Sequence, residues 1–244
     1  MNWVKNFSKH IGFLDFSEAE RLFELALEAS KKGPCLEIGT YCGKSSLVIA
    51  EACAANDSHL ITVDHHIGSE EHQPGEEYFD KSFYDERIDK FNTYPTFRSY
   101  IEKFPYKESI LPAIGDSKEV SSLWPKNYEI SLLFIDGSHS KNSAFSDFKA
   151  WSDFICKNGY LLIHDVFPDP NDGGRPPYEL FEYVKKKNLI YLSTPFSKKA
   201  AENLFKMGVS GFKIGSGECN NFPLIDFISK YNIIFVPVSY THLR

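Results

Sequence analysis

The residues with chemistry to offer begin at Glu37-Ile38-Gly39-Thr40-Tyr41-Cys42-Gly43-Lys44-Ser45, two glycines and a lysine in a form that suggests a phosphate loop. Such a loop needs four residues between its first glycine and the Gly-Lys-Ser, so that successive N–H groups can curl around the anion. Here only the three residues Thr40, Tyr41 and Cys42 separate Gly39 from Gly43. Glu37 would also repel a polyphosphate, whereas its carboxylate suits a neutral or cationic ligand. Further along, Asp64, Asp116, Asp136 and Asp165 close apolar runs or follow them, and His139 and His164 stand beside two of these acids. Both imidazoles are candidate bases, because they titrate near neutral pH, or additional metal ligands. The alternative for each is a hydrogen-bonded turn residue. His65, next to Asp64, reads as a pocket wall.

These residues must be carried by a repeating frame. A helix is expected from Ser17 through SEAERLFELALEAS, stopped by Lys31-Lys32-Gly33-Pro34. A strand follows at Cys35 to Ile38, then a helix in KSSLVIAEACAA and a second strand from His59 to Asp64. The polar and aromatic stretch from Ile67 to Tyr106 reads as an insertion whose helix either covers a site or decorates the surface. SILPAIGDS is expected as a short strand ending in a Gly-Asp turn, followed by a helix at EVSSLW. The strand ISLLFIDGSHS sets Asp136 at its end, SAFSDFKAWSDFI makes a helix, and KNGYLLIHDVF gives a turn at Asn158-Gly159 before a strand ending at His164 and Asp165. Alternating apolar strands and helices imply an α/β, Rossmann-like, doubly wound and mostly parallel sheet. Ligands bind such sheets beyond the carboxyl ends of the strands, where Glu37, Asp64, Asp116, Asp136 and Asp165 all fall.

The chain of 244 residues is long enough for one substantial domain or a domain plus a fragment. A net charge of −6 gives no global attraction to nucleic acid or to an anionic membrane surface. No apolar run is long enough to span a bilayer, and MNWVKNFSKHIGFLDFSEAE lacks the core of a signal peptide, so a cytoplasmic protein is expected. The five cysteines are scattered and are read as thiols, not as a disulfide or zinc framework.

The glycine loop, Asp64 closing the second strand, the Gly-Asp turn and IDGSHS together resemble the class I S-adenosylmethionine-dependent methyltransferases over about residues 1–183. IDGSHS with IHDVF is similar to the small-molecule O-methyltransferase branch. The resemblance implies that Glu37, Gly39, Thr40, Gly43 and Ser45 belong to the methionine end of a cofactor site. It implies ribose hydroxyls on Asp64 beside His65, and adenine near Asp116 and Ser117, with Asp136 closing the site. It also implies catalysis by Asp136, His139 and His164 on a small-molecule acceptor. A divalent cation, Mg2+ in this branch, would lie on Asp136 and Asp165, although Asp165-Val166 stands where an Asp-Asn pair is usual. Dinucleotide binding is the rival, but its Gly-x-Gly-x-x-Gly is absent.

The loop DPNDGGRPPYE is read as flexible, with Arg175 available to an acidic substrate group. After it, YLSTPFS and FKIGSGECNNFPL resemble strand-helix units of the sialic acid synthase family over about residues 184–231, which would map that family's substrate-end residues onto Lys213, Ser216 and Glu218. A (β/α)8 barrel closes with eight units and about two are present, so a partial barrel fragment joined to the methyltransferase is expected. The rival reading makes these residues the last antiparallel strands of the first sheet. Residues 232–244 have no assignment.

Overall fold

The computed structural model describes residues 1–76, 78–138, 140–166, 175–186, 192–193, 198–206, 211–214, 221–231 and 234–237. The chain divides into two compact units, Met1–Phe181 and Glu182–Arg244.

The first unit opens with a short helix, α1 (Asn2–Asn6), and an amphipathic one, α2 (Phe16–Ala29). Asp15 begins α2 with a capping box: its carboxylate accepts the Glu18 N–H while the Glu18 side chain accepts the Asp15 N–H. The helix thus starts one residue before the Ser17 expected from sequence, because the acid at its cap satisfies otherwise orphan donors. Ala19, Leu22, Ala26 and Ala29 form its buried stripe.

Strand β1 (Cys35–Ile38) leads through the glycine loop into α3 (Lys44–Ala54), and β2 (Leu60–Asp64) follows. The insertion then forms a two-strand hairpin, β3 (Tyr84–Asp85) with β4 (Lys90–Phe91), and the helix α4 (Tyr94–Lys103). The alternation resumes with β5 (Ile110–Ile114), α5 (Ser117–Ser122), β6 (Ile130–Ile135), α6 (Lys141–Trp151), β7 (Ile155–Ile163) and α7 (Arg175–Lys185). All five long strands are parallel, in the order β5-β2-β1-β6-β7. β1 and β6 are buried at every position, as central strands covered on both faces must be.

Two expectations are corrected here. Asn158-Gly159 does not precede the strand; β7 runs through it, and its register against β6 shifts between Ile130 and Leu132. The extra residues are absorbed as an irregularity inside the strand, with Asn158 at φ +60°. Arg175 is not in a loop either, because it opens α7 and lies 3.7 Å from Glu179 one turn on. Pro176 to Glu179 continue that helix, and residues 169–174, the start of the proposed loop, lie outside the described residues.

The register aligns the chemistry. Ile38 pairs with Val63 on one side and Ile135 on the other, and Ile135 pairs with Ile163. The residues that follow these four, Gly39, Asp64, Asp136 and His164, therefore lie in one row along the carboxyl edge. Backbone bonds extend the row: Gly39 donates to the Val63 carbonyl at 3.1 Å, Asp136 to Ile38 at 2.9 Å and His164 to Ile135 at 3.0 Å. The connections out of β1 and β6 diverge here, at the topological switch point where open α/β sheets hold ligands.

In the second unit, β8 (Leu192–Ser193), α8 (Lys198–Lys206), β9 (Gly211–Ile214), α9 (Phe222–Ile228) and β10 (Ile234–Pro237) alternate, and the strands form a separate parallel sheet in the order β10-β9-β8. Ala201, Phe212, Leu224 and Ile228 make its core. This parallel arrangement contradicts the antiparallel rival reading and gives Ile234–Pro237, left unassigned from sequence, a place beside β9. Ser216 and Glu218 lie outside the described residues, as does the side chain of Lys213.

Candidate functional site

The glycine loop is set by backbone packing at the switch point. Gly39 has φ +87°, and a Cβ on it would lie 2.1 Å from the Asp136 carbonyl oxygen, so only glycine lets the turns after β1 and β6 approach. Gly43, at φ +89°, caps α3 against Phe97. Lys44 turns to the N-terminal segment: its Nζ donates to the Gly12 carbonyl at 3.1 Å and stands 4.3 Å above the Phe7 ring.

Asp64 is held by two amides. Its Oδ2 accepts the Tyr41 N–H at 2.8 Å and its Oδ1 accepts the His66 N–H at 2.7 Å. Both donors come from residues with positive φ, Tyr41 at +50° and His66 at +59°. Two strained turns thus converge on one carboxylate, a pattern common at ligand sites.

A cleft with a cavity volume of about 150 Å³ runs along this edge. Gly39, Asp64, His65, Asp116, Ser117 and Asp136 line it. Glu37, Thr40, Gly43 and Ser45 are not among its lining residues. Glu37 is fully buried in β1, accepts a hydrogen bond from Ser46, and is pushed up to about 8 by burial, with the charges of Asp136 and Asp64 adding to the shift and Ser45 and Ser46 opposing it. Thr40 is buried as well. Asp116 caps α5 by accepting the Lys118 and Glu119 N–H groups.

Sequence reasoning missed several members of the cleft. Tyr41, Ser69, Glu71 and His72 form a wall largely drawn from the insertion, and Asp147 comes from α6. Asp147 is pushed up to about 6, first by burial and then by the Asp116 charge, against hydrogen bonds from Ser117 and Ser143. Its spacing from Ala144 and Trp151 places an acid on the buried face of a helix, which is the signal that could have found it.

Asp136, His164 and Asp165 converge at one end. His164 Nδ1 lies 3.1 Å from Asp136 Oδ1 and 3.0 Å from Asp165 Oδ2, and its Nε2 lies 3.3 Å from Glu18 Oε2. Burial works to lower the His164 pKa, but the carboxylates of Asp136, Asp165 and Glu18 outweigh it and raise the group to about 12. Asp136, His164 and Asp165 could together hold a metal ion. Asp165 takes φ +53° to turn back toward His164. His139 lies outside the described residues.

Among the described residues no helix is long and apolar enough to cross a membrane, and Cys35, Cys42, Cys53 and Cys156 are free thiols.

Comparison with known proteins agrees with this geometry. Residues 175–236 match the NeuB family. N,N'-diacetyllegionaminic acid synthase of Campylobacter jejuni is 43% identical over 54 residues, covering 22% of this chain and 16% of that protein. An uncharacterised protein of Methanocaldococcus jannaschii is 42% identical over 78 residues, covering 32% of this chain and 23% of its own length. The chain thus spans under a quarter of the length of these curated relatives. Among solved structures, a methyltransferase of Podospora anserina superimposes with a TM-score of 0.52 at 14% identity, covering 76% of this chain and 77% of the other, a likeness of fold. Residues 36–166, more than half of the sequence and the whole run from β1 through the His164 turn, match the methyltransferase-domain family, and the chain belongs to that family.

Proposed function

We propose that the first unit binds S-adenosylmethionine in the cleft and transfers its methyl group to a hydroxyl of a small-molecule acceptor, a sugar or glycan precursor being the preferred class. The carrying observation is the fixed carboxylate of Asp64, set in one row with Gly39 and Asp136 and open to the cleft. A carboxylate held by two amides keeps its remaining lone pairs for a ribose diol. The adenine would lie toward Asp116, Ser117 and Asp147, and the methionine end toward Gly39. The family assignment supports this reading, and the Podospora anserina methyltransferase of like fold was solved with S-adenosylhomocysteine bound.

Methyl transfer breaks the sulfonium carbon bond, forms the acceptor O–CH3 bond and releases the hydroxyl proton, so the protein must align the two reactants and take that proton. Asp136 at the cleft end of β6, His139 three residues on and His164 beside Asp136 are the groups assigned to the proton, with the two imidazoles as bases or further metal ligands. A divalent cation at Asp136 and Asp165, magnesium in the resembled branch, would lower the pKa of the acceptor hydroxyl.

Residues 1–183 are read as the methyltransferase domain and the stretch from 184 as a synthase-like piece extending through Pro237. The sugar preference rests on the resemblance of that piece to the N,N'-diacetyllegionaminic acid synthase. Buried thiols at Cys35, Cys42 and Cys53 suit a cytoplasmic setting. The test is incubation with methyl-labelled S-adenosylmethionine and a panel of N-acetylhexosamines and catechols, followed by mass spectrometry. A labelled O-methyl product is expected. Label transferred to none of them by protein that binds S-adenosylhomocysteine would overturn the acceptor assignment.

A further inference from the structure

The cluster at the end of β6 and β7 contains a polar atom with an unusual surrounding. His164 Nδ1 is buried and has no hydrogen-bond partner, although two carboxylate oxygens lie 3.1 and 3.0 Å away. The side chain is only 10% exposed. The two oxygens pair with the ring by charge and not through a well-aligned N–H bond, and one ligand atom from each of the three residues lies within 4.8 Å of the others, close enough to share a single cation. In an octahedral site with bonds of about 2.1 Å, neighbouring ligand atoms are separated by about 3 Å. The two observed separations, from Nδ1 to each carboxylate oxygen, match two edges of such an octahedron.

The other ring nitrogen faces a carboxylate. Nε2 lies 3.3 Å from Glu18 Oε2, the partner that fixes a metal-binding imidazole so that its remaining nitrogen is the ligand. A cavity of about 10 Å³, about the size of one water, is lined by Asp136 and His164.

We infer that His164 Nδ1 is the third protein ligand of a divalent-cation site completed by Asp136 and Asp165, and that this site selects Mn2+ or a similar nitrogen-tolerant ion over Mg2+. Magnesium favours all-oxygen octahedra and keeps its waters, whereas an imidazole among two carboxylates suits the first-row transition ions. Glu18 is a positioning residue that orients the ring. The site's use in methyl transfer rests on the reading above, but its existence does not.

The test is a metal titration of the full chain without cofactor, using MnCl2 and MgCl2 separately, with pulsed electron paramagnetic resonance on the Mn2+ sample. Mn2+ is expected to bind at least tenfold more tightly than Mg2+ and to show the coupling of a directly bonded imidazole nitrogen. His164→Asp should abolish that coupling and narrow the Mn2+ preference. Glu18→Gln should keep the coupling while weakening Mn2+ severalfold, and circular dichroism reports whether each variant folds. Failure of wild-type chain to bind Mn2+, equal binding of both ions, or a nitrogen coupling that persists in folded His164→Asp would each overturn the inference. None of these outcomes bears on S-adenosylhomocysteine binding, which is measured separately without metal.

Discussion

Asp64 Oδ2 accepts the Tyr41 N–H at 2.8 Å, and this bond joins the end of β2 to the loop after β1 in the wall of the cleft. The same carboxylate takes the His66 N–H at 2.7 Å, so two left-handed residues and one acid form a single unit. Removing the acid would free both turns.

Gly39 is the least replaceable position of the loop. A methyl group there would lie 2.1 Å from the Asp136 carbonyl, whereas at Gly75, also at positive φ, it would meet nothing within 4 Å. Gly39→Ala should lose more than about 3 kcal/mol through combined clash and strain, and Gly75→Ala about 1–2 kcal/mol through strain alone. Urea melts of the two variants separate these cases; equal losses would contradict the close approach of the two turns.

Glu37 ties stability to pH. Its folded pKa, about 8, is raised above the ordinary 4.5, so the folded chain holds this proton more tightly than the unfolded chain does. This group's contribution is therefore full below about 4.5 and is lost as pH rises toward about 8. Melting temperature across that window should fall for the wild type and run flatter for Glu37→Gln. A parallel slope in both proteins would mean that Glu37 ionises freely in the fold.

Glu51 anchors the N-terminal segment. Its buried carboxylate accepts the Asn2 and Trp3 N–H groups at 2.8 Å, and Trp3 packs in the core. Glu51→Ala should cost about 1.5–3 kcal/mol, the range for bonds to a charged acceptor, and Glu51→Gln less. Limited proteolysis should cut faster near α1 in the alanine variant, and an unchanged digestion rate would argue that packing of Trp3 alone holds the segment.

The parallel sheet was readable because its strands are apolar runs ending in acids, separated by helical stretches. Asp64 and Asp136 could be placed at strand ends from that pattern alone. Burial was not readable: Glu37 and Asp64 are both acids near strand ends, yet Glu37 precedes the last strand residue and faces the core, where Ser46 meets it. The insertion hid its contributions, since Ser69, Glu71 and His72 sit in a polar stretch with no periodicity. Glu18 could not be linked to His164, because the contact joins residues far apart in sequence. The bulge in β7 was masked by Asn158-Gly159, a pair that ordinarily marks a turn.

The central claim is that the cleft beside Asp64 holds the adenosyl cofactor, and calorimetry with S-adenosylmethionine on the wild-type chain and Asp64→Ala tests it most directly. The account predicts saturable binding by the wild type, weakened by about 1–3 kcal/mol in the folded variant through loss of the ribose partners. A folded wild-type chain that binds no S-adenosylmethionine, or a folded variant that binds it equally well, would contradict the account.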